Sequence, residues 1–471
     1  MRRLLPMMLL LPALLAALWL LPQPPAAAQG EHKIYLPLLA SPSRTLVASY
    51  LGGPGADSVS ATDFDQTGRL LLAGRWAAGP IGGVVATNLP GGEGAVVRLD
   101  PTGRAVSSAA RIGGAVRDME ASASGGVVAC GDFGVALLRA DLGATSWSAT
   151  PGPVERCAIG AGGTVAALVG KTIYRYGPDG AAAGNWEVAG SAVADIALDD
   201  ASGLVFATGY SQKSANLKVA FLRAYAADGA LRWTAYDFAN DATLAAGLTA
   251  DSEGRRVAVG ADGKLYFAGF TDGGNAIYGR DPRDIARRLG GAELIKFDAY
   301  NDPYNISGAK SLAWYGRFEP ASGALLRGQW LLTRLSDGKG NSISIKAIDA
   351  AADGSVAIAG DSAFALPGRT SMSLAGIALG AYELGEPYLL VVSPDLSARR
   401  LWTALAATGT TAGGSPATGV AIRGGLVALG ATLAPRTAAP ARGLLTTPDA
   451  PQPSNASPSA DEGYYLLLQA P

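Results

Sequence analysis

Oxygen donors are densest in one stretch of this chain, Lys296 to Asn305 (KFDAYNDPYN), where Asp298, Asn301 and Asp302 alternate with Tyr300 and Tyr304. Carboxylate and amide oxygens packed this closely suit a hard cation such as Ca²⁺, and the phenol rings offer stacking faces to a sugar or a peptide. The same residue types are ordinary turn formers, and their spacing is not that of a recognised calcium loop. Just upstream, DPRDIARRLGG (Asp281 to Gly291) has a Pro directly after Asp281, then Asp284 and Arg287, and ends in a Gly-Gly stop, which predicts a short capped helix. Together these residues form the candidate ligand site. Calcium at Asp298, Asn301 and Asp302 is the one cofactor considered.

Other side chains bound the chemistry. His32 is the single histidine and precedes the repeats, which removes serine-histidine and cysteine-histidine nucleophile systems, copper-radical oxidases and histidine-ligated zinc. No sialidase-type Ser-x-Asp-x-Gly-x-x-Trp box occurs, and the Gly-Gly pairs fall in turns, not in phosphate loops. Asp118, Glu120, Asp195 and Asp349 fall on or near short strands that would line a channel. A pair of them at a set separation would serve a carbohydrate hydrolase or lyase; the alternative is that they bond backbone amides there. Cys130 and Cys157 are the only thiols. Either they pair in an oxidising compartment, a cross-link worth about 3 to 4 kcal/mol, or they are buried free thiols in the apolar strands VVAC and ERCAIG. Two cysteines are too few for a structural zinc site.

The elements that position these residues are repeats of four short strands punctuated by Gly, Pro and Asp turns. The first unit reads SVSATDF, LLLAGRW, AVVRLDPTG and AVSSAARIGG, and the cadence recurs to the C-terminus. First strands are short and small-sided, as a crowded central channel requires, and second strands are apolar runs buried on both faces. LDPTG, YGPDG and FEPASG join third to fourth strands: Pro presets φ and Gly takes the left-handed position of a tight reversal. The seventh unit ends at YYLLLQAP without a fourth strand, while TLVASYLGG (Thr45 to Gly53) precedes the first unit with no repeat before it. The reading is therefore all-β: a seven-bladed β-propeller of four-stranded antiparallel blades, closed by Thr45 to Gly53 pairing with Gly463 to Pro471 so that no seam is exposed. Trp147, Trp186, Trp233, Trp330 and Trp402 fall on fourth strands, which argues for packing between blades.

YLGGPGADSVSATDFDQTGRLLLAG resembles the seven-bladed repeat of many secreted bacterial propellers, with Ala-Gly or Thr-Gly endings recurring at Ala73-Gly74, Thr208-Gly209, Ala268-Gly269 and Ala359-Gly360. The resemblance spans most of the repeats, more weakly in the second and third. It implies the fold and an extracellular setting, and no shared catalytic residues.

Residues 1–28 read as a secretory signal: Arg2 and Arg3, an apolar run from Leu4 to Leu21, and a small-residue site at Ala26 to Ala28. A linker (29–44) and a single propeller domain (45–471) follow, with no membrane span in the mature chain. Insertions between second and third strands fall at 77–94, 272–310, 364–387 and 433–463. They leave from one face of the ring and are expected to crowd there, the last of them, TTPDAPQPSNASPSADEG, as a disordered loop. Lys and Arg are scattered over a chain of net charge −1, which excludes a nucleic-acid footprint. The expected function is a secreted, non-catalytic scaffold that binds a protein or glycan through the insertion face; the alternative is an extracellular carbohydrate-active enzyme.

Overall fold

The computed structural model describes residues 44–77, 82–303, 311–335, 339–381, 385–407, 410, 412–435 and 443–470. The expected signal, most of the linker, His32 and Tyr304 lie outside them.

Seven antiparallel sheets follow one another along the chain, each in the order of its own strands, and a two-stranded hairpin or a single added strand accompanies some of them. The first strands are Asp57–Phe64, Val116–Ala121, Arg156–Ile159, Ala192–Asp199, Ser252–Val259, Ile343–Ala350 and Ala417–Arg423. The seventh sheet is closed as expected. Arg44–Leu51 pairs antiparallel with Glu462–Gln469, with Tyr50 opposite Tyr464 and Leu51 opposite Gly463. The chain is a seven-bladed β-propeller.

Two local devices shape each blade. The second strands Leu70–Trp76, Val127–Gly131 and Val356–Ser362 are buried over nearly their whole length, because each lies mid-sheet with blades on both sides. Six of the seven first strands carry a bulge at one position, for instance between Val59 and Ala61 and between Ile345 and Ala347. A bulge bends the strand and re-aims the next side chain, here into the channel. It also explains the recurring Ala-Gly ending: a Cβ on Gly74 would meet the Ser58 carbonyl oxygen at 1.9 Å, and one on Gly360 would meet that of Ser344 at 1.9 Å. Only glycine lets the second strand approach there.

Fourth-strand tryptophans lock blade to blade in the middle of the ring. Trp147 donates from Nε1 to the Pro178 carbonyl (3.0 Å) and Trp233 to the Pro320 carbonyl (2.8 Å), each in the next blade's third-to-fourth turn. The turn glycines Gly180, Gly229 and Gly323 face Trp147, Trp186 and Trp233 and leave room for the indoles. Trp330 instead packs within its own blade against Trp314 and Tyr278, and Trp402 against Tyr300 and Arg399. Trp233→Ala is expected to destabilise the protein by about 3 kcal/mol, read as a lowered urea midpoint, because it empties a site between two blades and orphans the Pro320 carbonyl.

The insertions leave from one face but do not remain there. They run down the outer edges of their blades. In the first blade Val84–Leu89 adds a parallel strand beside Val106–Ile112. In the fifth, Leu294 forms a parallel bridge to Gly328. In the sixth, Arg369 is buried and bonds Glu386 (2.8 Å) and the Ala406 carbonyl (3.1 Å), seating the insertion against its own blade. In the seventh, the Pro-rich segment expected to be disordered is ordered over 443–462. Thr447 N–H donates to the Ala48 carbonyl (2.9 Å) and Tyr50 N–H to the Gln452 carbonyl (3.1 Å). Proline-rich chain with no partner strand of its own is held here by the free edge of Arg44–Leu51. Covering such edges prevents strand addition by other molecules.

Candidate functional site

Two places answer to the sequence expectations: the fifth insertion and the channel.

The fifth insertion does not form the expected helix. Arg280–Asp281 and Asp284–Arg288 make a hairpin turning at Pro282-Arg283. Proline fixes φ at the first turn position, and the Asp281 carboxylate accepts the Arg283 N–H (2.8 Å), so a tight turn outcompetes a helical start. Arg287 then reaches Asp281 Oδ2 (2.5 Å) and Glu293 Oε1 (2.7 Å). Asp284 accepts the Ala286 N–H (3.0 Å) at the exposed end.

Further on, Asp298 caps a single 3₁₀ turn over Ala299–Asn301, accepting the Tyr300 N–H at 2.9 Å. Asp298 also holds Arg399 of the sixth blade (2.8 Å), and Asp302 holds Lys296 (2.7 Å). Arg399 lies over the rings of Phe297, Tyr300 and Trp402. Asn301 is fully buried. Two of the three expected calcium donors, Asp298 and Asp302, are therefore paired with cations of the chain itself, and Ca²⁺ would have to displace Arg399 from Asp298. Tyr300 packs edge-on against Trp402 on the rim between blades five and six, which removes it as an open stacking platform. The fifth-insertion residues thus split into a hairpin, with Asp281 buried and Asp284 and Arg287 exposed, and a rim clasp (Asp298, Tyr300, Asn301, Asp302).

In the channel, the bulged first strands present charged side chains in two tiers. The residue opposite the one before the second-strand glycine forms the upper tier: Asp118 faces Cys130, Asp195 faces Thr208 and Arg256 faces Ala268. Two residues on lies the lower tier, with Asp63, Glu120 and Asp349. The acids do one job repeatedly: each accepts a backbone N–H from the first strand of the next blade. Asp63 takes Ala121 (2.6 Å), Asp118 takes Cys157 (3.1 Å), Glu120 takes Ile159 (3.1 Å), Asp195 takes Val257 (3.0 Å) and Asp349 takes Ile422 (2.8 Å). Asp118, Glu120, Asp195 and Asp349 line the channel as the sequence reading placed them. Asp63, Arg156, Arg256 and Arg423 were missed. Aligning the repeats on their Ala-Gly endings would have found Asp63, because that register superposes it on Glu120 and Asp349.

The lower tier surrounds a cavity of about 630 Å³ open toward the tight-turn face. Burial pushes Asp63 up to about 7, with the Asp349 charge adding to it, and burial pushes Asp349 up to about 6. Glu120 is driven well above the carboxylate range by burial and then by Asp63. In the upper tier burial raises Asp195 against the opposing pull of Arg256 and Arg156. Burial works against the charge of Arg156, but Asp118 and Asp195 outweigh it and hold its pKa above the ordinary value.

Cys130 and Cys157 are free, buried thiols on adjacent blades. Their sulfurs and an Asp118 oxygen lie within 4.8 Å of one another, and burial raises both thiol pKa values.

No known family's sequence profile matches the chain, and no curated protein matches it. Solved structures do, 510 chains in all. One is the structure of U3-55K, at a TM-score of 0.50 and 7% identity, covering 90% of this chain and 99% of that one. Another is a chain of the crystal structure of the mitotic checkpoint complex, at 0.46 and 10% identity, covering 87% of this chain and 96% of that one. Likeness at these identities reaches the fold and no further. No helix among the described residues is long and apolar enough to cross a membrane.

Proposed function

We propose that this protein is an exported, non-catalytic propeller scaffold of the secreted bacterial repeat type, holding an extracellular protein or glycan on the face from which its insertions emerge. Export rests on the signal-like residues 1–28, and the repeat type on the YLGG cadence and the Ala-Gly endings. One observation carries the non-catalytic reading: the channel acids accept backbone N–H groups from the neighbouring blade. A hydrolase or lyase needs an acid and a base turned toward one substrate atom, and these carboxylates are aimed at amides of the wall. The hairpin, whose Pro282 carbonyl accepts the Tyr236 N–H at the end of blade four's last strand, carries the exposed Arg283, Asp284, Arg287 and Arg288.

The test incubates the full exported chain with a panel of extracellular polysaccharides and follows both retention and fragment release. Retention without scission is expected, weakened when Arg283 and Arg288 are both changed to Ser. Fragment release that Glu120→Gln abolishes, with the ring still folded, would overturn the scaffold reading.

A further inference from the structure

On the insertion face the channel widens into a second cavity of about 440 Å³, lined by Arg156, Arg255, Arg256, Lys346, Phe270 and Glu155 among others. Arg156 and Arg256 also line the larger cavity below, so their side chains form the neck between the two. Four cations and one carboxylate, the exposed Glu155, face this upper space. The other acids of the neighbourhood are partnered within the chain. Glu253 holds Lys218 and Arg255 (2.8 Å each), Asp361 accepts the Ser344 hydroxyl (2.5 Å) and stands 3.8 Å from Lys346, and Asp118 and Asp195 staple the wall while standing 3.9 and 3.7 Å from Arg156.

Arg256 is the informative residue. Its Nε–H donates to the Lys346 carbonyl and its Nη1 to the Arg255 carbonyl (2.9 Å), which orient the guanidinium without neutralising it. Among the described residues no carboxylate stands within ion-pair distance, 4.0 Å, of Arg256. Burial, and then the charge of Arg156, pull its pKa down to about 10, so it stays protonated at neutral pH while repelled by its neighbour. A desolvated guanidinium beside a second one is relieved most by a planar oxyanion, which accepts two parallel N–H bonds from such a fork.

The occupant must also fill the space. An acidic side chain reaching in from a peptide would use only the neck, whereas about 440 Å³ lies in the range of pockets that enclose small organic ligands. We propose that this mouth is a binding site for a carboxylate-bearing sugar, a uronate unit of a glycan, with the carboxylate seated between Arg156 and Arg256 and with Arg255 and Lys346 at the rim. This inference rests on the insertion face being the binding face and names the ligand class that the face takes.

The test titrates the full exported chain, by calorimetry, with a glucuronate oligomer, the matching neutral glucose oligomer and a polyglutamate peptide, at low and high NaCl. The glucuronate oligomer alone is expected to bind, more weakly in high salt. Arg256→Gln is expected to weaken it about tenfold or more, the scale of one charge-assisted hydrogen bond. Lys346→Gln, at the exposed rim, provides a second variant should Arg256→Gln fail to fold, and is expected to weaken binding severalfold. Equal binding of the neutral oligomer, Arg256-dependent binding of the peptide in place of the sugar, or a glucuronate affinity that neither variant changes would overturn the site. A ligand whose binding ignores both variants yet is lost on changing Arg283 and Arg288 would overturn this site and leave the insertion face standing. A ligand that ignores all four positions would overturn both.

Discussion

Removal of Arg44–Leu51 is expected to abolish cooperative unfolding of the whole ring. This strand supplies the fourth position of the seventh blade, and Val47, Ala48 and Tyr50 are buried in it. Its loss strips one edge of Glu462–Gln469 of its backbone partners and frees the Pro-rich segment 447–452 that bonds Ala48, Ser49 and Tyr50. Tyr50 and Tyr464 meet edge-to-face at 5.7 Å, and their hydroxyls bond Leu444 N (2.7 Å) and Leu445 O (2.6 Å). Truncating one large buried aromatic costs about 3 to 5 kcal/mol, and a domain is held by only about 5 to 15 kcal/mol. The truncated chain should therefore show a broad, low-amplitude urea transition by circular dichroism. Tyr50→Ala should keep a single transition displaced by about 3 to 5 kcal/mol, and a synthetic Arg44–Gly53 peptide should restore cooperativity to the truncated chain. An unchanged midpoint after truncation would show that the seventh blade does not need the strand.

Stability is expected to be greatest near pH 4 to 5 and to fall as pH rises to about 8. Burial raises the pKa values of Glu120, Asp195 and Asp272, and of four further carboxyls. Asp63 lies at about 7 and Asp349 at about 6, while Glu386 and Glu462, both under 2% exposed, lie at about 7. Burial is the leading cause in each. An unfolded carboxyl titrates near 4, so between about 4 and 7 the native state holds more protons than the unfolded chain. Unfolding then releases protons, and raising the pH favours it. Below about 4 the contribution is fully present; above about 7 it is gone. A carboxyl that titrates one pH unit higher in the folded chain than in the unfolded one contributes at most about 1.4 kcal/mol, and water in the channel reduces this, so the drop should be a few kcal/mol in all. Acids held low, such as Asp395 at about 2 and Asp237, act in the opposite sense and set the decline below pH 4. Urea midpoints from pH 4 to 8 measure the slope. Asp63→Asn should flatten it, and a midpoint that rises with pH over this range would refute the assignment.

The fifth and seventh insertions show where local pattern stops carrying information. Nothing near DPRDIARRLGG in sequence states that Asp281 will accept the Arg283 N–H, although Pro after Asp is a turn signal that a Gly-Gly stop obscured. The calcium expectation at Asp298 failed to register a partner that stands 101 residues away, Arg399. The Pro- and Ser-rich run before Glu462 has a disordered composition, yet it is held by a strand roughly four hundred positions earlier, as the Ser49 to Gln452 bond shows. Asp118 to Asp349 were placed correctly on first strands, and the amide-bonding alternative is the one observed.

The sequence by itself determined the strand cadence, the blade count and the closure by Thr45 to Gly53, because these follow from alternation, from Pro and Gly φ preferences and from the need to hide a sheet edge, all of which act over a few residues or on the repeat as a whole. Only the tertiary structure decided where the insertions run and which charges meet. Exiting on one face does not oblige a loop to stay there when an unpaired blade edge lies below it. Likewise the pairing of the first strands, bulged in six of the seven blades, chooses which side chains line the channel, so that five acids staple the wall while Arg256, on a bulged strand, and Arg156, on the unbulged one, face an open mouth.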